Sequence, residues 1–206
     1  MNKKFISVSN TKLIKSGKLE KLKIGTYALD PLKTCKRQCK GCFFQRLRRF
    51  PNVINRANER YYETLKKDWV ERTAAEIAKN NIQVMRLHYG GDIYSDMYMC
   101  KLISLACKLP DVLFYGYTKR VLRVKKYNRF IPTNLIFIFS LGGPEDKYIN
   151  TETDRHAKVF KDSGALYKAA YHNAMDNDLE AVNPNKLKIG LIYHGALSFE
   201  KSDFNK

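Results

Sequence analysis

Six short apolar runs, separated by longer polar stretches with helical spacing, restrict this chain to few folds. The runs are KIGTYAL (23–29), VMRLHY (84–89), LFYGYT (113–118), LIFIFSL (135–141), ALYKAAY (165–171) and KIGLIYH (188–194). They are rich in β-branched and aromatic residues and are often closed by Gly, Asp or Thr, which is the composition of buried strands. Between the first two, residues 57–81 repeat Tyr62, Leu65, Trp69, Thr73 and Ile77 every three or four positions, which predicts one long helix with a buried stripe. Residues 95–111 start on a Ser95 N-cap signal and stop before Pro110. KRVLRVKKYN (119–128) and ETDRHAKVFKDSG (152–164) read as further helices, the second closing on Gly164, and 172–185 reads as a weak one. Strands alternating with helices imply an α/β fold with a mostly parallel sheet and right-handed crossovers. Six units suit an open partial (βα)6 barrel, since the closed eight-unit form typically needs ~250 residues. Ligands in such folds sit at the carboxyl ends of the strands.

The chain has 206 residues, 44% hydrophobic and 28% charged, a globular balance. No repeat or Pro/Gly/Ser linker divides it, so residues 1–22 read as a Lys-rich N-terminal arm and 23–206 as a single domain. The basic start is followed only by FISV, too short for a signal-peptide core. The run 135–141 is far shorter than a bilayer span. These features predict a soluble, cytoplasmic protein with no membrane partner. Lys and Arg number 38 against 20 Asp and Glu, a net charge of +18. Six basic residues flank or interleave the stretch 35–49 (Lys36, Arg37, Lys40, Arg46, Arg48, Arg49), and six more fall in 119–129. Such a field attracts polyanions, so DNA or RNA is a candidate partner.

Three of the five cysteines, Cys35, Cys39 and Cys42, form a C-x3-C-x2-C run directly after the first strand. An odd count with three crowded together argues against a disulfide framework and for metal binding or redox work. Cys100 and Cys107, one heptad apart on a helix, read as buried structural thiols. A structural zinc site needs four closed ligands, and no second C-x2-C or H-x3-H pair is present; His88, His156, His172 and His194 are scattered. A 4Fe-4S cluster held by three cysteines leaves one iron open and needs no fourth residue. His88 and His194 close the second and last strands, where barrels place functional groups, and are the catalytic candidates. Tyr115 and Tyr117 share one face of the third strand and read as core. The stretch LHYGGDIYS supplies a strand-to-helix turn with Asp92 or Ser95 as N-cap.

The C-x3-C-x2-C run after a first strand resembles the radical S-adenosylmethionine superfamily, over roughly residues 23–195. That resemblance implies a partial (βα)6 barrel in which Cys35, Cys39 and Cys42 ligate three irons and S-adenosylmethionine chelates the fourth. It further implies reductive cleavage to a 5′-deoxyadenosyl radical, with electrons from a donor such as flavodoxin or ferredoxin. Gly90, Gly91 and Asp92 match the turn that receives the methionine amino group, with Asp for the usual Glu, and Ser140 matches a polar group near the ribose. Gly41 departs from the pattern, because an aromatic residue usually precedes the third cysteine; Phe43 and Phe44 follow it instead. CKGCF is similar to the activases of anaerobic glycyl-radical ribonucleotide reductase, and the downstream HYGGDIYSDMYM resembles phage- and plasmid-encoded radical-SAM-like proteins. The expectation is a radical enzyme acting on an anionic substrate, nucleic acid foremost, with a duplex base extruded to reach the radical. The alternatives are an activase for a partner protein and a non-enzymatic nucleic-acid-binding protein carrying zinc or a cluster.

Overall fold

The computed structural model describes residues 5–35, 39–40, 42–194 and 198–204, with the backbone alone at Phe43. Seven strands form one sheet: β1 (Ile24–Thr26), β2 (Val84–Leu87), β3 (Leu113–Thr118), β4 (Leu135–Ser140), β5 (His156–Phe160), β6 (His172–Asn173) and β7 (Lys188–Ile192). Their order is β1-β2-β3-β4-β5-β7-β6, every neighbouring pair is parallel, and the sheet curls into a half-barrel. This is the expected open partial barrel.

Alternation along the strands sends two sets of side chains to two faces. Met85, Leu87, Phe114, Phe137 and Phe139 meet the convex layer of helices, including α5 (Trp69–Lys79), α6 (Asp96–Lys108) and α7 (Val121–Tyr127). Ile24, Val84, Tyr115, Ile138, Ala157 and Ile189 line the concave face. That face is plugged by Leu13 of α1 (Thr11–Glu20) and by Ala181 of a 3-10 turn over Asp178–Val182.

Several elements differ from the sequence expectation, each for a local reason. Residues 5–22 are fastened down: Ser7 and Thr26 exchange backbone hydrogen bonds of 2.7 and 2.9 Å, which covers the free edge of β1. Glu76 accepts from the backbone of Phe5 and Ile6, each at 3.0 Å. The predicted helix 57–81 is two helices, α4 (Pro51–Leu65) and α5. At the break Lys101 Nζ donates to the carbonyls of Thr64 (2.7 Å) and Lys66 (2.6 Å), satisfying groups that end α4. Of the expected stripe, Trp69, Thr73 and Ile77 are buried while Tyr62 and Leu65 are exposed. Residues 152–164 carry strand β5 rather than a helix, and 165–171 lie largely in α8 (Ser163–Lys168) rather than a strand. Asp162 caps α8 by accepting from Ala165 N at 2.8 Å, so Gly164 sits in its first turn, and Ala170 at φ 57° makes the left-handed exit. Cys100 and Cys107 are exposed, not buried, because Tyr98, Met99, Leu102, Leu105 and Ala106 form the inward face of α6.

Leu13→Ala tests whether the N-terminal segment belongs to the fold. Urea unfolding is expected to show a loss of about 2–5 kcal/mol, the range for a buried Leu truncation. A loosely held arm would give a change within about 0.5 kcal/mol.

Candidate metal centre

The chain leaves β1 and turns at once into α2 (Pro31–Thr34), which Asp30 caps by accepting from Leu32 N at 3.0 Å. Thr34 Oγ1 donates back to the Asp30 carbonyl at 2.8 Å, ending this single turn and leaving Cys35 in extended conformation beside it. Cys42 stands at the start of α3 (Phe43–Leu47), and its N–H donates to the Cys39 carbonyl at 3.2 Å. All three cysteines are half-buried at the carboxyl edge of the sheet. Burial pushes the Cys35 thiol far up, and the Asp92 carboxylate and the other two sulfurs push it further. Burial also raises Cys39, against the pull of the Lys119 ammonium. Metal-free, Cys35 and Cys39 therefore keep their protons at neutral pH, and a bound metal would displace them.

Among the described residues, no group of three or more His, Cys, Asp or Glu is arranged to hold a metal ion. Three thiols match the ligand number of a sulfide-bridged cube with one open iron, whereas closed tetrahedral zinc takes four ligands. Cys35, Cys39 and Cys42 supply the donor type and number that a three-cysteine 4Fe-4S loop uses, but their described side chains are not arranged as a metal-holding group. Lys36, Arg37, Gly41 and the Phe43 side chain, all singled out in the sequence, lie outside the described residues.

The Gly90-Gly91 turn after β2 lies against this loop. A Cβ on Gly90 would stand 2.3 Å from the Phe44 ring, and one on Gly91, at φ +85°, would stand 2.5 Å from Thr34 Oγ1. Leu29 N donates to the Gly90 carbonyl at 2.8 Å. The glycines thus provide clearance for the cysteine loop, and the space above them holds Phe44 and Thr34 rather than an open cradle. Asp92 is buried, its N–H donating to Thr34 Oγ1 at 3.3 Å. Its carboxylate accepts from Thr118 Oγ1 (2.6 Å), Ile93 N (2.8 Å) and Lys119 N (2.9 Å). Burial raises its pKa, and those three donors oppose the rise. Asp92 therefore ties the turn to the end of β3, while Ser95 caps α6 by accepting from Tyr98 N at 3.1 Å.

Lys119, which the sequence reading missed, is a half-buried cation at this edge. Its Nζ donates to Ser140 Oγ (3.2 Å) and to the carbonyls of Ser140 (3.1 Å) and Leu141 (2.7 Å). Burial lowers its pKa, opposed by Cys39, Asp146, Asp92 and Asp203. The only sequence signal was its position directly after a strand. The segment Ser198–Phe204 straps the same edge: Asp203 accepts from Lys40 N at 2.8 Å, and the Lys119 ammonium lies 5.1 Å from the Phe204 ring centre. The Gly142 and Gly143 amides both donate to Asp146, at 2.8 and 2.9 Å.

Of the two candidate histidines, His88 lies apart from this group, while the backbone of His194 meets α3. His88 adopts φ 54°, which turns its ring to the convex side among Tyr27 and Tyr98 and sends Tyr89 toward the cysteine loop. Its Nε2 lies 3.0 Å from Tyr98 OH, and burial lowers its pKa to about 3, so it is a neutral core histidine. His194 is exposed beyond β7, its carbonyl accepting from Arg46 Nη1 at 2.9 Å. Tyr115 is fully buried on the concave face, where Tyr117 packs beside it.

The family model for Gene product 88 matches residues 3–198. The chain belongs to the Gene product 88 family. No curated protein and no solved structure matches it. In this Gene product 88 protein no helix among the described residues is long and apolar enough to cross a membrane.

His88 gives the Gene product 88 fold a predictable acid sensitivity. Its pKa falls from 6.5 to about 3 on folding, so the unfolded chain binds one more proton across that window. Stability contributed by the neutral ring is present above pH 6.5 and lost as pH falls toward 3, at about 1.4 kcal/mol per pH unit. His88→Asn, which tolerates the left-handed backbone, is expected to flatten the slope of unfolding free energy against pH; an unchanged slope would contradict the assignment.

Proposed function

We propose that this protein is a radical S-adenosylmethionine enzyme whose Cys35, Cys39 and Cys42 hold a 4Fe-4S cluster. The observation that carries the reading is the docking of a three-cysteine loop after β1 onto a Gly-Gly turn after β2, at the carboxyl edge of an open parallel half-barrel. Ligand sites in parallel α/β sheets lie at this edge. When bound, the cluster would supply the electron for reductive cleavage of S-adenosylmethionine. The chain's own residues position and shield that chemistry. Asp92 fixes the turn, the Lys119 ammonium holds positive charge near Cys39, and the strap bearing Asp203 and Phe204 packs against the same edge.

A polyanionic substrate, nucleic acid foremost, follows from the charge around this edge. Lys40, Arg46, Arg48 and Arg49 are exposed on and beside the cysteine loop, in a chain of net charge +18. The proposal includes an electron donor of the flavodoxin or ferredoxin kind and a cytoplasmic setting, where free thiols persist.

Anaerobic reconstitution followed by reduction with S-adenosylmethionine tests the reading. Roughly four irons and four sulfides per chain are expected, with 5′-deoxyadenosine formed and its yield changed by added DNA or RNA. Cys35→Ser is expected to remove both the iron and the product. About one zinc per chain without sulfide, or product formation that survives Cys35→Ser, would overturn the assignment.

A further inference from the structure

A second constellation lies on the concave face of β2. Arg86 is a charged residue in an otherwise apolar, buried strand, where charges are rarely placed without a partner. Its Nε lies 3.2 Å from Asp178 Oδ2. Asp178 is fully buried and is also reached by Lys12 Nζ (2.7 Å) and by the Tyr115 hydroxyl, which donates at 2.5 Å. Burial works against the Asp178 charge, but Arg86 and Lys12 outweigh it and hold the carboxyl below its ordinary value. One carboxylate thus faces two cations, leaving an excess positive charge inside the half-barrel.

Arg86 is not used up by this pair. Its buried Nε is paired with Asp178 by charge but has no hydrogen-bond partner among the described residues, and the side chain is 16% exposed. A guanidinium offers five donors in a fork matched to two oxygens of one oxyanion. The guanidinium carbon lies 5.6 Å from the Tyr89 ring centre and 5.5 Å from that of Tyr117. The Tyr117 hydroxyl is buried and has no hydrogen-bond partner among the described residues. Buried polar groups are nearly always satisfied, so an orphan hydroxyl on a ring beside the guanidinium marks a place for an acceptor. Tyr89 packs against the cluster that contains Phe44 and touches Cys42, which puts this place next to the cysteine loop.

We propose that Arg86, framed by Tyr89 and Tyr117, anchors an oxyanion group, phosphate or carboxylate, of a molecule that reaches the carboxyl end of the concave face beside the cysteine loop, beyond the plug of Leu13 and Ala181. As an anion site it stands on its own geometry; its role as substrate anchor rests on the proposed radical chemistry. Arg86 fixes the oxyanion through its Nη pair, and the Tyr117 hydroxyl donates to one of the oxygens.

Isothermal titration of the metal-free chain at physiological salt tests the site, with 5′-AMP, acetate and adenosine as probes. AMP or acetate is expected to bind and adenosine not to bind. Binding of AMP alone assigns a phosphorylated substrate, and binding of acetate alone a carboxylate one. Arg86→Lys keeps the charge opposite Asp178 and is expected to weaken binding at least tenfold. Tyr117→Phe, which removes only the orphan hydroxyl, is expected to weaken it several-fold with an unchanged melting curve. No binding by either oxyanion, or binding unaltered in both variants, would overturn the proposal. Because no metal is involved, that failure would leave the cluster assignment untouched, and loss of the cluster assignment would leave this site untouched.

Discussion

The contact between the cysteine loop and the Gly90-Gly91 turn governs the rest of this edge. Phe44 and Thr34 occupy the volume that side chains at those two positions would fill. Without that clearance the loop could not close on the sheet, and Cys35 and Cys42 would be carried outward with α2 and α3. The Leu29 and Tyr89 amides extend the β1–β2 ladder by pairing with the Gly90 and Tyr27 carbonyls, so backbone bonds hold the same approach that the glycines permit. Asp92 then carries the constraint across to β3 through Thr118 and Lys119.

Buried charge is the second theme. Around the thiols, Asp92, Lys119 and Asp203 share one small volume, and each raises or lowers the proton affinity of its neighbours. Removing charges from water is costly unless they are paired and hydrogen-bonded, and here both conditions are largely met. Asp92 takes three donors and Lys119 gives to three oxygens. On the concave face, Lys12, Arg86 and Asp178 join α1, β2 and the turn before β7. That join explains why an N-terminal segment with so many lysines nevertheless packs: Leu13 is buried in the plug, and Lys12 beside it has a buried carboxylate to meet.

The layout of the half-barrel was readable because buried parallel strands must be apolar and their connections helical. Strands β2, β3 and β4 lie where VMRLHY, LFYGYT and LIFIFSL predict them. β5 escaped because Lys158 interrupts it and Arg155 and Lys161 flank it, while its buried residues, besides Ala157 and Phe160, include His156, which pairs with Tyr171 in a tertiary contact that no periodicity encodes. The break between α4 and α5 depends on Lys101, thirty-odd positions downstream. At the site, the cysteines and the Gly-Gly turn were legible as motifs, yet the reason for the glycines was not, since it lies in Phe44 and Thr34. His88 misled because a single left-handed residue reverses which face the ring meets. Lys119 and Arg86 are charges at or in strands, a signal visible in the sequence but uninterpretable until the faces of the sheet were known.

Electron paramagnetic resonance of the reconstituted, dithionite-reduced protein before and after adding S-adenosylmethionine tests the proposed open iron corner. If three cysteines leave one iron open at this edge, the reduced signal shifts when the sulfonium compound binds, and neither signal appears in Cys39→Ser. A reduced protein with no iron–sulfur signal, or a signal indifferent to S-adenosylmethionine, would contradict the account.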